Sequence, residues 1–127
     1  IVEEFGYEMY LHSGAVRKAL LAFQSQEFID NYIEEVLSSP KCFPKISKEE
    51  LLESLRKTRE EGVALSSGDY LKGTIGIGAP VFDASGKAVA SVGIVVPTVK
   101  VDDEKFEKLK NIIKKRAREL SNSLGYF

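Results

Sequence analysis

The chain predicts an α+β fold, a sandwich in which helices cover an antiparallel sheet, formed as a single domain over residues 1–127. Three observations carry that expectation. The stretch 62–97 holds two runs rich in Ile and Val, Thr74 to Phe82 and Lys87 to Val96, split by the turn-forming Asp83-Ala84-Ser85-Gly86. The segments before it repeat apolar residues at the three- and four-residue spacing of helices, and so does the long segment after Pro97. Helices and strands therefore come in blocks, the pattern of an antiparallel sheet covered by helices.

Taken in order, Ile1 to Leu11, rich in Ile, Val, Phe, Tyr and Leu, predicts an opening strand that joins the hairpin's sheet. Ser13 is placed to cap a helix whose buried face is Val16, Ala19, Leu20 and Phe23. Ser25 offers a second start, followed by Phe28, Ile29, Tyr32, Ile33, Val36 and Leu37 at the same spacing. Pro40 and Pro44 break the pattern, so Ser38 to Ile46 reads as an exposed connection. Ser47 with Glu50 makes a capping box, Leu51, Leu52 and Leu55 make a short apolar stripe, and Gly62 suits the position just past that helix's end. A short strand then delivers the chain to the hairpin. Asp102 or Asp103 caps the last helix, which carries Phe106, Leu109, Ile112, Ile113, Leu120 and Leu124 on one side. Its basic end, Lys114, Lys115, Arg116 and Arg118, reads as a solvated face that complements the helix dipole, with a contact to nucleic acid or an acidic partner as the alternative.

If Phe82 faces Lys87 across the hairpin turn, Thr74 pairs with Val95, Gly76 with Gly93 and Gly78 with Ser91, all on one nearly bare face. The other face then sets Ile75, Ile77, Ala79 and Val81 against Ile94, Val92, Ala90 and Ala88, a core layer. Repeated glycine weakens a strand, so the bare face needs a reason. Two stand open: a helix or second backbone packs closely on it, or it floors a small-molecule cavity.

With 43% hydrophobic and 29% charged residues, the composition suffices to bury one core. A formal net charge of −1 gives no basic field for phosphate binding, so nucleic acid is not expected as a direct partner. No apolar run approaches a membrane span, and no basic flank leads into an apolar stretch at the start; no membrane contact is expected, and the chain reads as cytoplasmic.

His12 and Cys42 are the only residues of their kinds, which excludes an intrachain disulfide and a Cys/His zinc set; no metal or cofactor is expected. No serine lies in a G-x-S-x-G turn, Cys42 reads as an incidental thiol in a Pro-flanked loop, and His12 reads as structural. Gly76-Ile77-Gly78-Ala79-Pro80-Val81 ends in Val where a dinucleotide loop needs Gly, and runs on as a strand. The acid pairs Glu34-Glu35, Glu49-Glu50 and Glu60-Glu61 fall on polar helix faces. The chain is not expected to be an enzyme.

Gly62 and Ala64, Asp69, Gly73, the run Ile77-Gly78-Ala79-Pro80-Val81-Phe82-Asp83, Gly86-Lys87 and Pro97 resemble the signature of the effector-binding domain of IclR-type transcriptional regulators. The segment from Leu11 to Ala22 is similar to that family's His-Ala-Thr-Ala-x-Gly-Lys-Ala pattern. The resemblance implies a GAF-like sandwich with a pocket for a small-molecule effector, lined at the matching positions by Gly14, Ala15, Ser66, Thr74, Gly76, Gly93 and Val95. Gly14 and Ala15 would present the backbone N–H groups of a helix start, which favour an anionic ligand.

Several polar anchors of the family pattern are replaced. Ser66 stands where the family often has Asp, Gly76 where it often has Cys or Ser, and Gly93 and Val95 where two serines commonly follow. Each lost anchor removes roughly 1 kcal/mol or more of orientation, so the expected effector is a larger, mainly apolar or aromatic carboxylate. A ligand-free association module with the same fold is the alternative. The resemblance further implies a winged helix-turn-helix domain and further strands of the effector domain ahead of this region, so DNA would be met only through a domain outside these residues. It also implies association as a homodimer or tetramer, and a sheet edge left open at Ile1 would favour such pairing.

Overall fold

In the computed structural model, which describes residues 9–68 and 72–127, three helices precede a three-stranded sheet and a fourth closes the chain. Residues 1–8 of the expected opening strand, and Asp69 of the hairpin motif, lie outside the described residues; Met9 to Leu11 enter a turn without strand structure.

Helix α1 (Ala15–Ala22) is capped by Gly14, at φ 83°, and not by Ser13. Ser13 is buried, and its carbonyl accepts the Arg17 Nε–H one helical turn on. The fully buried residues of α1 are Ala15, Ala19, Leu21 and Ala22, while Val16, Leu20 and Phe23 are only partly covered. Alanines on one side let a sheet come close; Leu21 and Ala22 on the other meet the remaining helices.

Helix α2 (Gln26–Tyr32) starts as expected, with the Ser25 hydroxyl accepting the Phe28 N–H at 3.1 Å, and runs into a π-helical turn over Ile33–Leu37. The Pro-containing connection is not wholly exposed, since Cys42 is buried in it against His12. Helix α3 (Lys48–Glu61) is capped by Ser47, which accepts the Glu50 N–H at 3.1 Å, and ends at Gly62 in the left-handed conformation, φ 77°. Leu51 and Leu55 are fully buried and join Leu21, Ala22 and Ile29 in a cluster binding α1, α2 and α3.

Strands β1 (Ala64–Ser67), β2 (Thr74–Phe82) and β3 (Ala88–Pro97) form an antiparallel sheet in that order. The register differs from the expected one by two residues over most of the hairpin: Thr74 pairs with Pro97, Gly76 with Val95 and Gly78 with Gly93. Two single steps produce the difference. The turn closes one residue later, Asp83 N–H bonding Lys87 O at 2.9 Å so that Phe82 faces Ala88, and a bulge then skips Val89 so that Val81 faces Ala90. An even shift preserves which side chains share a face, so the glycines still line one side and Ile75, Ile77, Ala79 and Val81 the other. Ala88 leaves the expected core row and pairs with Phe82.

The turn is fixed by Asp83, whose carboxylate accepts the Ser85 hydroxyl at 2.6 Å and the backbone N–H groups of Ser85 and Lys87. Those bonds, the Ser85 hydroxyl first, hold its carboxyl below the usual aspartate range.

Helix α4 (Asp103–Ser123), capped by Asp102 through the Lys105 N–H at 2.8 Å, covers the apolar face. Ile113 and Ala117 pack with Val63, Ile77, Ala79 and Val81. The apolar stripe expected on α4 is wider than the one it buries: Ile112, Leu120 and Leu124 are about half exposed. Three strands offer too narrow a face to cover that arc. Helix α1 lies on the glycine face, so the sheet is held between α1 and α4. Among the described residues no helix is long and apolar enough to cross a membrane.

Candidate functional site

The glycine face has a physical cause. A β-carbon built on Gly78 would come within 2.8 Å of the Ala15 carbonyl and the Val16 Cα, and one on Gly93 would collide with the Ile77 carbonyl and the Val16 side chain. Backbone of α1 thus rests directly on the sheet at Gly78, as the close-packing reading required. Gly76 is different, since its neighbours there are the Ser66 hydroxyl and, at 3.2 Å, the Ala15 methyl.

Beyond the contact, towards the open end of the hairpin, α1 and the sheet part to leave a cleft of about 160 Å³. Gly14, Ala15, Ser66, Thr74, Gly93 and Val95 line it. Gly76, the seventh expected position, does not; it lies beneath Ser66 and Ala15. Close helix packing thus accounts for the bare face at Gly78 and Gly93, and a cleft opens beside it.

Val16, Arg17 and Ile94 also line the cleft and were not expected. Arg17 matters most. Its guanidinium lies against Gly14, where any side chain would displace it, and its Nε–H is given to the Ser13 carbonyl. A cation in the first turn of a helix opposes the helix dipole, and that sequence signal could have marked Arg17 for a role other than helix stability. The Arg17 guanidinium and the N-terminal N–H groups of α1 stand together at this rim of the cleft, groups that favour an anion. Ser66 and Thr74 add hydroxyls, while Ala15, Val16, Ile94 and Val95 add apolar wall. The arrangement suits a small anion with a short apolar body and contains no nucleophile with its base. Among the described residues no group of three or more His, Cys, Asp or Glu could hold a metal ion.

The residue before Ser13 fixes where α1 begins. His12, buried, shares its Nε2 hydrogen with the Pro44 carbonyl at 2.8 Å. A carbonyl can only accept, so Nδ1 is left to accept the Tyr32 hydroxyl, also at 2.8 Å. The same phenol oxygen accepts the His12 backbone N–H at 3.2 Å. Burial pushes the Tyr32 phenol above its ordinary pKa, and the backbone N–H groups of His12 and Leu11 pull the other way. His12 is thus structural, tying the start of α1 to α2 and to the connection at Pro44. Replacing Tyr32 by Phe orphans the His12 N–H and Nδ1 together, and urea unfolding should show a loss of about 1–3 kcal/mol. An unchanged midpoint would mean that another group satisfies both atoms.

Comparison with known proteins places this geometry among regulators of transcription. The family described as bacterial transcriptional regulator IclR, C-terminal, matches residues 1–122. The regulator KdgR of Dickeya chrysanthemi is 30% identical over 117 residues, covering 91% of this chain and 38% of that protein. Among solved structures, the IclR protein of Thermotoga maritima superposes with TM-score 0.86 at 32% identity, over 99% of this chain and 51% of that one. The C-terminal domain of Escherichia coli KdgR superposes with TM-score 0.79 at 30% identity, over 91% of this chain and 71% of that one. The chain spans less than half the length of the curated relatives it matches.

Proposed function

The chain belongs to the IclR family of bacterial transcriptional regulators, as the effector-binding C-terminal domain of such a protein, and from that premise we propose that the cleft beside α1 is its effector site and that the ligand is a small carboxylate. The family is one of regulators and not of enzymes. The observation that carries the reading is the convergence of Arg17, the N-terminus of α1, Ser66 and Thr74 on one cleft whose remaining wall is apolar.

Size narrows the ligand. A cavity of roughly 150 Å³ takes up benzene, so a cleft of about 160 Å³ accommodates about six non-hydrogen atoms. That favours a compact acid over the larger ligand that the missing polar anchors suggest, while Val16, Ile94 and Val95 keep the expectation of an apolar body. A branched or cyclic carboxylate of that size fits both. Binding would bias α1 relative to the sheet and, through the His12 contacts, relative to α2, passing the state to a DNA-binding domain elsewhere in the protein.

A purely structural association module is the second reading, favoured by one observation: the glycines at 78 and 93 are already accounted for by helix packing. A thermal-unfolding screen separates the two. At about 100 times its dissociation constant a bound acid adds roughly 2.7 kcal/mol, which raises the midpoint of a domain this size by several degrees. Compact carboxylates should do so and their amides should not. If no acid moves the midpoint while it climbs with protein concentration, the module reading replaces the sensor.

A further inference from the structure

A second cleft, of about 310 Å³, lies beside the last residues of β2. β1 begins at Ala64, opposite Gly78, so beyond Gly78 β2 has no partner strand on that side among the described residues. Pro80, which has no N–H to give a ladder, stands there, and the Phe82 N–H two residues on is taken by the Ser121 hydroxyl of α4 at 3.0 Å. The space beside this edge is closed by the end of α3 and by α4. Along β2 it is about 20 Å from Thr74 of the first cleft, at about 3.3 Å per residue, and apart from the sheet and α1 the two clefts share no lining element.

Its chemistry is distinct. Arg59, Lys114 and Arg118 line it against a single acid, Glu61, and none of the three cations takes part in an ion pair among the described residues. Lys114 and Arg118 are four residues apart on α4, a like-charge placement that costs helix stability. Three other cations of the same helix are matched, Lys108 with Glu104, Lys110 with Glu107 and Arg116 with Glu119. Helix-end electrostatics account for part of the cluster, since the Lys114 stem lies 3.9 Å from a β-carbon built on Gly62, at the end of α3, and Arg59 gives a hydrogen bond to the Ala22 carbonyl. Arg118 has no such duty. Facing the charges is an aromatic wall in which Phe23 meets Phe82 edge-on at 5.4 Å and Phe82 lies 5.0 Å from Tyr126.

We propose that this second cleft binds a flat-ringed phosphate monoester, of the nucleoside monophosphate class. The excess of two positive charges matches a phosphate dianion, guanidinium and ammonium groups are its usual partners, the aromatic wall supplies a stacking surface, and the volume lies at the lower end of the range for small-molecule pockets.

Calorimetric titration of the chain with adenosine monophosphate, inorganic phosphate and benzoate, at low and physiological salt, tests it. The nucleotide should bind at one site, about tenfold or more tighter than inorganic phosphate because of stacking. Arg118→Glu, an exposed change, should weaken it at least about tenfold with the unfolding midpoint of the free protein unmoved. Tyr126→Ala should bring the nucleotide down towards inorganic phosphate. Arg17→Glu, in the other cleft, should leave nucleotide binding intact, so failure here and failure of the effector reading are told apart. Equal affinity for nucleotide and inorganic phosphate, tighter binding of benzoate, a DNA duplex that outcompetes the nucleotide, or no heat at all would each overturn the assignment.

Discussion

Gly78→Val should cost at least about 3 kcal/mol of folding stability, at the top of the usual overpacking range. The reason is what the new side chain would strike. Its first carbon would lie 2.8 Å from three backbone atoms of α1, and backbone in the first turn of a helix cannot rotate aside. The helix has to lift, uncovering Ala15 and Ala19, which are buried against the sheet. Valine's advantage as a strand former, about 1 kcal/mol at most, is too small to offset this. Gly76→Ala is the control, because the atoms it meets are a hydroxyl that can turn and a methyl at 3.2 Å, so its cost should be far smaller. Urea unfolding of both variants decides the matter: equal midpoints would mean that α1 does not sit on the sheet as closely as described.

Much of this arrangement is legible in the sequence, because the signals are local. The Ser25, Ser47 and Asp102 caps and the Gly62 terminus each depend on one side chain or one backbone angle within a helical turn. The alternation of Gly76 and Gly78 with Ile75, Ile77 and Ala79 fixes two faces whatever the pairing, which is why a register shift of two residues left the faces correct. The shift itself was not legible, since a bulge at Val89 leaves no mark on the alternation of β2 and depends on how the turn is closed. Ser13 misled because its hydroxyl is a good cap in isolation, whereas the chain must turn at positive φ to lay α1 flat on the sheet, and Gly14 does that.

Of the cleft, the residues that the sequence makes conspicuous are small ones, and small residues announce a close approach without saying whether it is to a helix or to a ligand. Arg17 could be found only from the conflict between its charge and the helix end on which it sits.

That conflict makes Arg17→Glu the most discriminating change in the cleft. Glutamate in the first turn of a helix is favoured by the dipole where arginine is not, which offsets part of the loss of the Arg17 hydrogen bond to the Ser13 carbonyl, so the free protein should stay folded with its unfolding midpoint lowered by a few degrees at most. Binding should suffer far more. A charge-assisted hydrogen bond to a carboxylate is worth about 1.5–3 kcal/mol, and a like charge in its place adds repulsion in a partly enclosed site. The affinity for a compact carboxylate should therefore fall by about a hundredfold or more, with Arg17→Gln losing about tenfold. A neutral amide of the same shape should bind the three proteins alike. Carboxylate titrations followed by calorimetry give these ratios directly. If the Glu variant binds the acid as tightly as the parent does, the charge at the start of α1 is not what reads the ligand, and the effector would have to be neutral or bound elsewhere.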